Sequence, residues 1–239
     1  MTLKRSVVSA AVLGAAVFSG GVSAGVSVNV GAVSEYIFRG IPQTGGSAVQ
    51  GGIDYAHDSG FYVGTWASNI GFGGGTEQDL YAGFGGEVGG VSYDARITYY
   101  WYPEEDEVSA ELSTLEFGFT VGYGPVSLGY SYADENNFFI GDGNGKEAGY
   151  LQLSGSFPII ADKLSFDASI GFYHGDEIER FLTSIGSTDD TYMDYKIGLT
   201  ATLDAGFSAT FQYIMTDIEA PGSDDEPKFV MGLSKSFDL

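Results

Sequence analysis

Residues 91–101 read VSYDARITYYW, a stretch in which apolar and polar side chains alternate. The odd-numbered positions carry Val, Tyr, Ala, Ile, Tyr and Trp, while the even-numbered positions carry Ser, Asp, Arg, Thr and Tyr. Because successive side chains of a β-strand point to opposite faces, this period of two predicts a strand with one apolar and one polar face. The stretch is longer than the roughly five or six residues of a typical strand in a soluble protein, and it matches the roughly nine to eleven that a tilted strand needs to cross a bilayer.

The same alternation recurs along the rest of the chain. We predict twelve strands, at residues 26–38, 48–57, 61–70, 78–88, 91–102, 113–123, 126–133, 147–157, 164–174, 191–203, 207–217 and 228–237. Tight turns at 58–60, 89–90, 124–125, 158–163 and 204–206 alternate with longer loops at 39–47, 71–77, 103–112, 134–146, 175–190 and 218–227. Bacterial membrane barrels have short turns on the periplasmic side and longer loops outside. The sequence therefore predicts an all-β fold, a single transmembrane antiparallel up-and-down β-barrel of about 12 strands.

The start of the chain has the pattern of a signal peptide. Two basic residues open it, residues 7–18 are mostly apolar, and residues 22–24 are the small side chains that a signal peptidase reads. The apolar part is too short for a helix that spans a bilayer. We therefore predict a cleaved signal peptide at residues 1–24 and a barrel domain at residues 25–239, exported through the periplasm.

The composition excludes several classes of protein. The chain has 32 Asp and Glu against 10 Lys and Arg, a formal net charge of −22, so we expect no nucleic-acid partner. It has no Cys, which excludes disulfides and thiolate metal sites. Its 17 Phe and 16 Tyr argue against an acidic disordered chain. No mature segment has the roughly 18 consecutive apolar residues of a transmembrane helix, so strands would have to cross a membrane.

The segment SEYIFRGIPQ at residues 34–43 resembles the end of the first strand in the TorF porin family, which has a similar Tyr-x-Phe-Arg-Gly-x-x-Gln pattern. Further similar segments are QGGIDY at 50–55, GFYVGTWASN at 60–69, DLY at 79–81 and YYWYP at 99–103. The resemblance covers residues 25–103. It implies an outer-membrane channel of a Gram-negative bacterium, with no defined substrate.

Ionisable side chains on the predicted strands mostly keep to the face opposite the apolar row, which indicates an aqueous lumen on that face. The period assigns eight acids and three bases to the lumen as candidate selectivity residues: Glu35, Arg39, Asp54, Asp79, Glu87, Asp94, Arg96, Glu116, Asp167, Asp194 and Lys196. If the lumen is open and wet, the excess of acids favours cations. In the alternative, Arg39 and Arg96 pair with carboxylates and fill a plugged barrel. Twelve strands allow either outcome.

We therefore expect a porin-like channel for passive diffusion of small solutes or ions, with a mild preference for cations. Its location would be the bacterial outer membrane, in contact with the lipids there. The alternative is a non-conducting structural or surface-binding barrel whose acidic loops, such as residues 104–107, 134–135 and 224–226, bind divalent ions or partners. The strand pattern is compatible with monomers and with trimers.

Aromatic residues near the predicted strand ends favour two girdles at the membrane interfaces. Members of these girdles would be Tyr36, Phe38, Phe61, Tyr62, Tyr99, Trp101, Tyr123, Phe172 and Phe237. Two aromatic residues, Trp66 and Tyr100, are on the inward face. They would pack inside the lumen or, in the alternative, stack against a carbohydrate.

The chain offers little for covalent chemistry. Its two histidines, His57 and His174, give thin support for a Ser-His-acid hydrolase, and residues 57–59 (HDS) lie at a predicted tight turn. Residues 142–147 begin like a calcium loop, but Lys146 occupies a ligand position. We therefore predict no cofactor, no metal site and no enzymatic activity; an outer-membrane enzyme that uses His57 is the weakest alternative.

Overall fold

A computed structural model describes residues 24–72, 75–104, 112–133, 147–220 and 226–239. In this part of the chain twelve strands form one closed antiparallel barrel. They are β1 (Gly25–Val33), β4 (Ala48–Ala56), β5 (Phe61–Asn69), β6 (Thr76–Val88), β7 (Val91–Trp101), β8 (Thr114–Tyr123), β9 (Val126–Ala133), β10 (Ala148–Ile160), β11 (Leu164–His174), β12 (Tyr192–Thr202), β13 (Phe207–Thr216) and β14 (Lys228–Asp238). The other elements are a hairpin of β2 (Ile37–Phe38) and β3 (Ile41–Pro42), a helix α1 (Asp176–Ser184) and a short 3₁₀ turn (Asp204–Gly206).

Each barrel strand pairs with its neighbours along the chain, and β1 closes the barrel by pairing with β14 through seven residue pairs from Ser27–Asp238 to Val33–Gly232. Closure satisfies the backbone hydrogen bonds of every strand without a free sheet edge, which is the condition for strands to cross hydrocarbon. The predicted fold, a 12-strand antiparallel up-and-down barrel, is confirmed.

The two faces of the wall differ as the alternation predicts. Apolar side chains point outward and stay exposed, for example Val30, Phe119, Leu199 and Phe211, which are 40–56% exposed. The intervening positions point inward and carry Ser, Thr, Gly, Tyr and charged residues. The barrel therefore has an apolar exterior and a polar interior, the arrangement of a transmembrane barrel.

The two ends of the barrel differ in the length of their connections. At one end, here the short-turn end, the strands are joined by residues 57–60, 89–90, 124–125, 161–163 and 203–206. The tightest of these, Gly89-Gly90, has positive φ at both residues (63° and 82°), which a two-residue turn of this hand requires. The other end, the long-loop end, carries the remaining connections, including the hairpin β2–β3 and helix α1.

The first predicted strand is too long. Residues 34–38 do not continue β1; the strand ends at Val33, and the chain turns inward to form the hairpin β2–β3. The turn of this hairpin, Arg39-Gly40, has φ values of 47° and 83°. The alternation of Tyr36 and Phe38 continues that of β1, so the period alone does not reveal that the chain leaves the wall.

Helix α1 lies in a segment that was predicted to be a loop, residues 175–190. Its apolar side chains Ile178, Phe181 and Leu182 follow the three-and-four spacing of a helix face. Asp176, Glu177 and Glu179 occupy its first turn, where acidic side chains favour the helix dipole. No helix in the described ranges has the length and apolar character needed to span a membrane.

Two apolar clusters fill the long-loop end of the barrel. The helix-side cluster joins α1 to the wall through Ala148, Tyr150, Tyr173, Ile178, Leu182, Tyr192 and Ile218. The hairpin-side cluster contains Tyr36, Ala48, Ile70, Tyr100, Tyr102 and Leu112. The interior is therefore packed at this end and polar below it.

Several predicted features lie outside the described residues. These are residues 1–23 of the signal peptide, most of the calcium-loop-like segment 142–147, and the acidic loop positions 105–107, 134–135 and 224–225.

Candidate functional site

The interior of the barrel holds a cavity of about 490 Å³. It runs from Ser27 and Asp238 at the short-turn end to Arg39 at the tip of the hairpin β2–β3, and it reaches Val33 and Ile214 near the long-loop end. Its size is comparable with that of a cleft for a small molecule, about 300–1,000 Å³. The lumen is therefore the candidate functional site.

Seven of the eleven candidate selectivity residues line this cavity: Arg39, Asp54, Asp79, Asp94, Arg96, Asp194 and Lys196. Glu116 and Asp167 also point inward but are not among the cavity-lining residues, and both carboxylates are engaged by other side chains. Glu116 bonds to Arg39, and Asp167 Oδ1 accepts a hydrogen bond from Ser156 at 2.6 Å.

Glu35 and Glu87 are not among the cavity-lining residues. Glu35 follows the end of β1, where the chain has left the wall, and Glu87 is exposed at the short-turn end of β6. The alternation assigned both to the inward face, but it does not tell where a strand leaves the barrel or passes its rim.

The guanidinium group of Arg39 crosses from the hairpin to the barrel wall. It donates to Glu116 Oε2 at 2.6 Å and to the Tyr173 hydroxyl at 3.0 Å. The guanidinium carbon lies 4.4 Å from the centre of the Tyr150 ring, 4.7 Å from that of Phe38 and 5.0 Å from that of Tyr173. The side chains of Arg39 and Glu116 are only 10% and 5% exposed, so this is a buried ion pair inside the lumen.

Two tyrosine contacts fix the hairpin, one just before it and one at Arg39 itself. The Tyr36 hydroxyl donates to Glu77 Oε1 at 2.7 Å, and the Tyr192 hydroxyl donates to the carbonyl oxygen of Arg39 at 2.9 Å. Burial raises the pKa of Tyr36 well above its usual value, and the charges of Glu77 and Asp79 raise it further. The hydroxyl therefore keeps its proton and acts as a donor at neutral pH.

Glu77 lies outside the predicted strand, which begins at residue 78, whereas β6 begins at Thr76. It is only 2% exposed, and its second oxygen accepts a bond from Tyr102 at 2.8 Å. The signal that could have found it is the same alternation, since residues 77, 79 and 81 share the inward face.

Tyrosine hydroxyls bind most of the other lumen carboxylates. The pairs are Tyr81–Asp54 at 2.6 Å, Tyr62–Asp94 at 2.8 Å, Tyr150–Asp194 at 2.8 Å and Tyr100–Glu116 at 3.3 Å. A neutral donor satisfies a buried carboxylate without cancelling its charge. These pairs therefore add no positive charge to the lumen.

Three of the candidate selectivity residues face the cavity without a hydrogen bond or a salt bridge to any described residue: Asp79, Arg96 and Lys196. Arg96 stands between two glycines on the neighbouring strands, Gly83 and Gly118, which leave space around its long side chain. These groups are free to meet a solute or water.

The aromatic girdles differ from the prediction at three positions. Tyr36, Phe38 and Tyr62 do not point to the membrane: the first two belong to the inward segment, and Tyr62 is 4% exposed and bonded to Asp94. The remaining predicted members are exposed on the outer face, namely Phe61, Tyr99, Trp101, Tyr123, Phe172 and Phe237.

Neither histidine belongs to a catalytic constellation. His57 Nδ1 lies 2.9 Å from Ser59 Oγ within an exposed turn, while Asp58 accepts a bond from the backbone N–H of Ala24. His174 stacks against the Tyr130 and Phe172 rings at centroid distances of 6.0 and 5.5 Å. Within the described ranges no group of three or more His, Cys, Asp or Glu side chains could hold a metal ion.

Solved structures with a similar fold are porins and channels. The chain has a TM-score of 0.57 and 10% identity to the NanC porin, over 90% of this chain and 100% of that chain. For the KdgM porin the TM-score is 0.55 at 8% identity, over 88% and 99%. For an outer membrane channel from Pseudomonas putida F1 it is 0.53 at 8% identity, over 91% and 97%. At these identities the likeness concerns the fold. No curated protein matches the chain.

A family model described as "Bacterial protein of unknown function (Gcw_chp)" matches residues 19–237. In bacteria, closed β-barrels with an apolar outer belt span the outer membrane, which is therefore the location of this chain. The resemblance to the TorF porin family stays a prediction. With the match extending over nearly the whole chain, this protein belongs to the Gcw_chp family.

Proposed function

We propose that the chain is a narrow outer-membrane channel for passive diffusion of small solutes or ions, with a mild preference for cations and no covalent chemistry. The observation that carries this proposal is the polar cavity of about 490 Å³ inside a closed barrel. A barrel that served only as a scaffold could fill its interior with apolar side chains. Here inward positions carry charged and hydroxyl groups that water can solvate.

The cation preference rests on the balance of charges in the lumen. The inward acids of the described strands are Asp54, Glu77, Asp79, Asp94, Glu116, Asp167, Asp194 and Asp238, and the bases are Arg39 of the hairpin with Arg96, Lys196 and Lys228 of the strands. Arg39 is paired with Glu116, so the remaining inward acids outnumber the remaining bases. A net negative interior raises the local concentration of cations and disfavours anions.

Recordings in planar bilayers under a KCl gradient test both parts of the proposal. Purified protein should insert with stepwise conductance and a reversal potential on the cation side. The double variant Asp54→Asn and Asp94→Asn should shift the reversal potential toward that of chloride, because it removes two lumen charges while the amide oxygens still accept from Tyr81 and Tyr62. Low ionic strength makes the shift larger, since screening is weaker there.

Asp162→Asn is the matched control, because Asp162 lies in an exposed short turn with φ 60°, a conformation that Asn tolerates. It should leave the reversal potential unchanged. An unchanged reversal potential in the double variant would contradict the proposed cation preference. Bilayers without conductance steps would contradict the proposed channel function.

One observation favours a second candidate, a non-conducting structural or surface barrel. The long-loop end of the lumen is occupied by the hairpin, with its Arg39–Glu116 ion pair, and by the helix-side and hairpin-side clusters. If this packing is permanent, the cavity below is closed on one side. The bilayer experiment separates the two candidates directly.

A further inference from the structure

The carboxylate of Asp79 stands out among the lumen acids. Asp79 is 6% exposed, its Oδ1 is closed off from solvent, and no described residue donates a hydrogen bond to either oxygen. The side chain lines the cavity. A buried carboxylate without a donor is costly, so this position calls for a positively charged partner or a proton.

Two aromatic residues stand opposite Asp79 on the neighbouring strands. Trp66 on β5 and Tyr100 on β7 are its direct cross-strand neighbours, and both line the same cavity. The hairpin covers these two rings: Tyr36 packs edge-to-face on Trp66 at 5.6 Å, and Phe38 packs on Tyr100 at 5.8 Å between centroids. Phe38 already faces the Arg39 guanidinium at 4.7 Å, and Tyr36 is not among the cavity-lining residues. We therefore call the rings of Trp66 and Tyr100 the aromatic cup.

We infer that Asp79 and the aromatic cup form a binding site for a singly charged organic ammonium group. This inference rests on the proposed channel function, because the site opens to the solute pathway. The carboxylate supplies one negative charge, and ring faces attract ammonium groups through their quadrupoles. Such a site would slow ammonium-bearing solutes as they pass and favour them over inorganic ions.

The neighbouring acids explain why the ligand carries one charge. Glu77 is occupied on both oxygens by Tyr36 and Tyr102, and Glu116 is occupied on both oxygens by Arg39 and Tyr100. Of these three acids only Asp79 is available as a ligand. One carboxylate cannot supply the roughly six to eight oxygen ligands that a calcium ion takes. Arg96, the inward-facing base on β7, makes no salt bridge with Asp79.

Trp66 provides a readout of binding that does not depend on conduction. The chain has two Trp, and the second, Trp101, is 38% exposed on the outer face, so Trp101→Phe leaves Trp66 as the only indole reporter. Tetramethylammonium chloride is titrated into this variant, refolded in detergent micelles at neutral pH, with potassium chloride at equal ionic strength as the matched salt. We expect a saturable change in Trp66 fluorescence with tetramethylammonium and none with potassium.

Asp79→Asn in the same background should raise the half-saturating concentration about tenfold or more, the consequence of losing one charged contact. Asp162→Asn should leave it unchanged. Asp79→Asn is nearly isosteric and removes a buried charge, so folding should survive; circular dichroism checks the barrel.

The inference is overturned if the Trp101→Phe reporter gives no saturable change with tetramethylammonium, or if potassium competes at the same concentrations. It is also overturned if Asp79→Asn binds tetramethylammonium equally well, which would mean that Asp79 is protonated and carries no charge. Bilayer recordings keep this inference separate from the proposed function. Ammonium binding without conductance would contradict the channel function but not the binding site. Conductance without ammonium binding would contradict the binding site but not the channel function.

Discussion

Arg39 combines an unfavourable backbone with a buried charge. Its φ of 47° lies in the left-handed region, which costs free energy for a residue with a Cβ. The surroundings hold it there through Glu116, Tyr173 and the three rings around the guanidinium group. Strain of this kind persists where other contacts over-determine the conformation, and here those contacts position one charge in the lumen.

Replacement of Arg39 tests whether this charge holds the hairpin in place. Arg39→Ala leaves the buried Glu116 without its partner, so the free energy of unfolding should fall by about 3–5 kcal/mol in a urea titration. Single-channel conductance should rise, because the hairpin loses its attachment to β8. Lys163→Ala, at an exposed short turn, is the control. Equal conductance in both variants would mean that the hairpin does not limit the passage.

The tyrosine–carboxylate pairs make a second prediction at this scale. Tyr62→Phe removes the donor to Asp94 and should lower the free energy of unfolding by about 1–3 kcal/mol, because a buried carboxylate loses a partner. Tyr99→Phe removes a hydroxyl on the outer face that has no bond to a described residue, and it should cost less. Urea titrations of both variants give the comparison. Similar losses would show that the lumen pair contributes nothing specific.

At the scale of elements, the strands could be predicted from the sequence, but the hairpin that enters the lumen could not. Every barrel strand after β1 begins and ends within three residues of its prediction, because alternation is a local property of the wall. The path of the hairpin depends on contacts between distant residues: Arg39 bonds Glu116, 77 positions away, and Tyr192, 153 positions away. No local pattern encodes such pairs. The same holds for the tyrosine partners of the lumen acids, although Asp54, Asp79 and Asp94, which the alternation assigns to the inward face, line the cavity.

Helix α1 is different, since its amphipathic spacing was present in the sequence. Ile178 is 1% exposed in the helix-side cluster, so Ile178→Ala should lower the free energy of opening α1 by about 2–5 kcal/mol. Amide hydrogen exchange measures this opening. Thr183→Ala, on the exposed side of the same helix, should have little effect. Equal exchange in both variants would mean that α1 is not fastened by its apolar face.

At the scale of the whole molecule, one period of two separates the membrane face of the wall from its lumen face. Neighbouring residues on a strand meet opposite environments, so Ile197 is 50% exposed on the outer face while Lys196 lines the cavity. The apolar exterior is stable only in hydrocarbon, and the charged interior only in contact with water. The apolar outer belt and the polar lumen therefore arise from the same alternation.

The depth of the belt can be measured with one substitution at two heights. Ile197 lies halfway along β12, whereas Leu203 follows the same strand at the short-turn end and is similarly exposed, at 45%. Lysine at the bilayer midplane costs about 2–4 kcal/mol, but near the interface only about 0–1 kcal/mol. Ile197→Lys should therefore lower the free energy of unfolding in lipid vesicles by the larger amount, and Leu203→Lys by the smaller. Equal costs would contradict the placement of β12 across the membrane, because only a hydrocarbon layer centred on the strand makes the penalty depend on height.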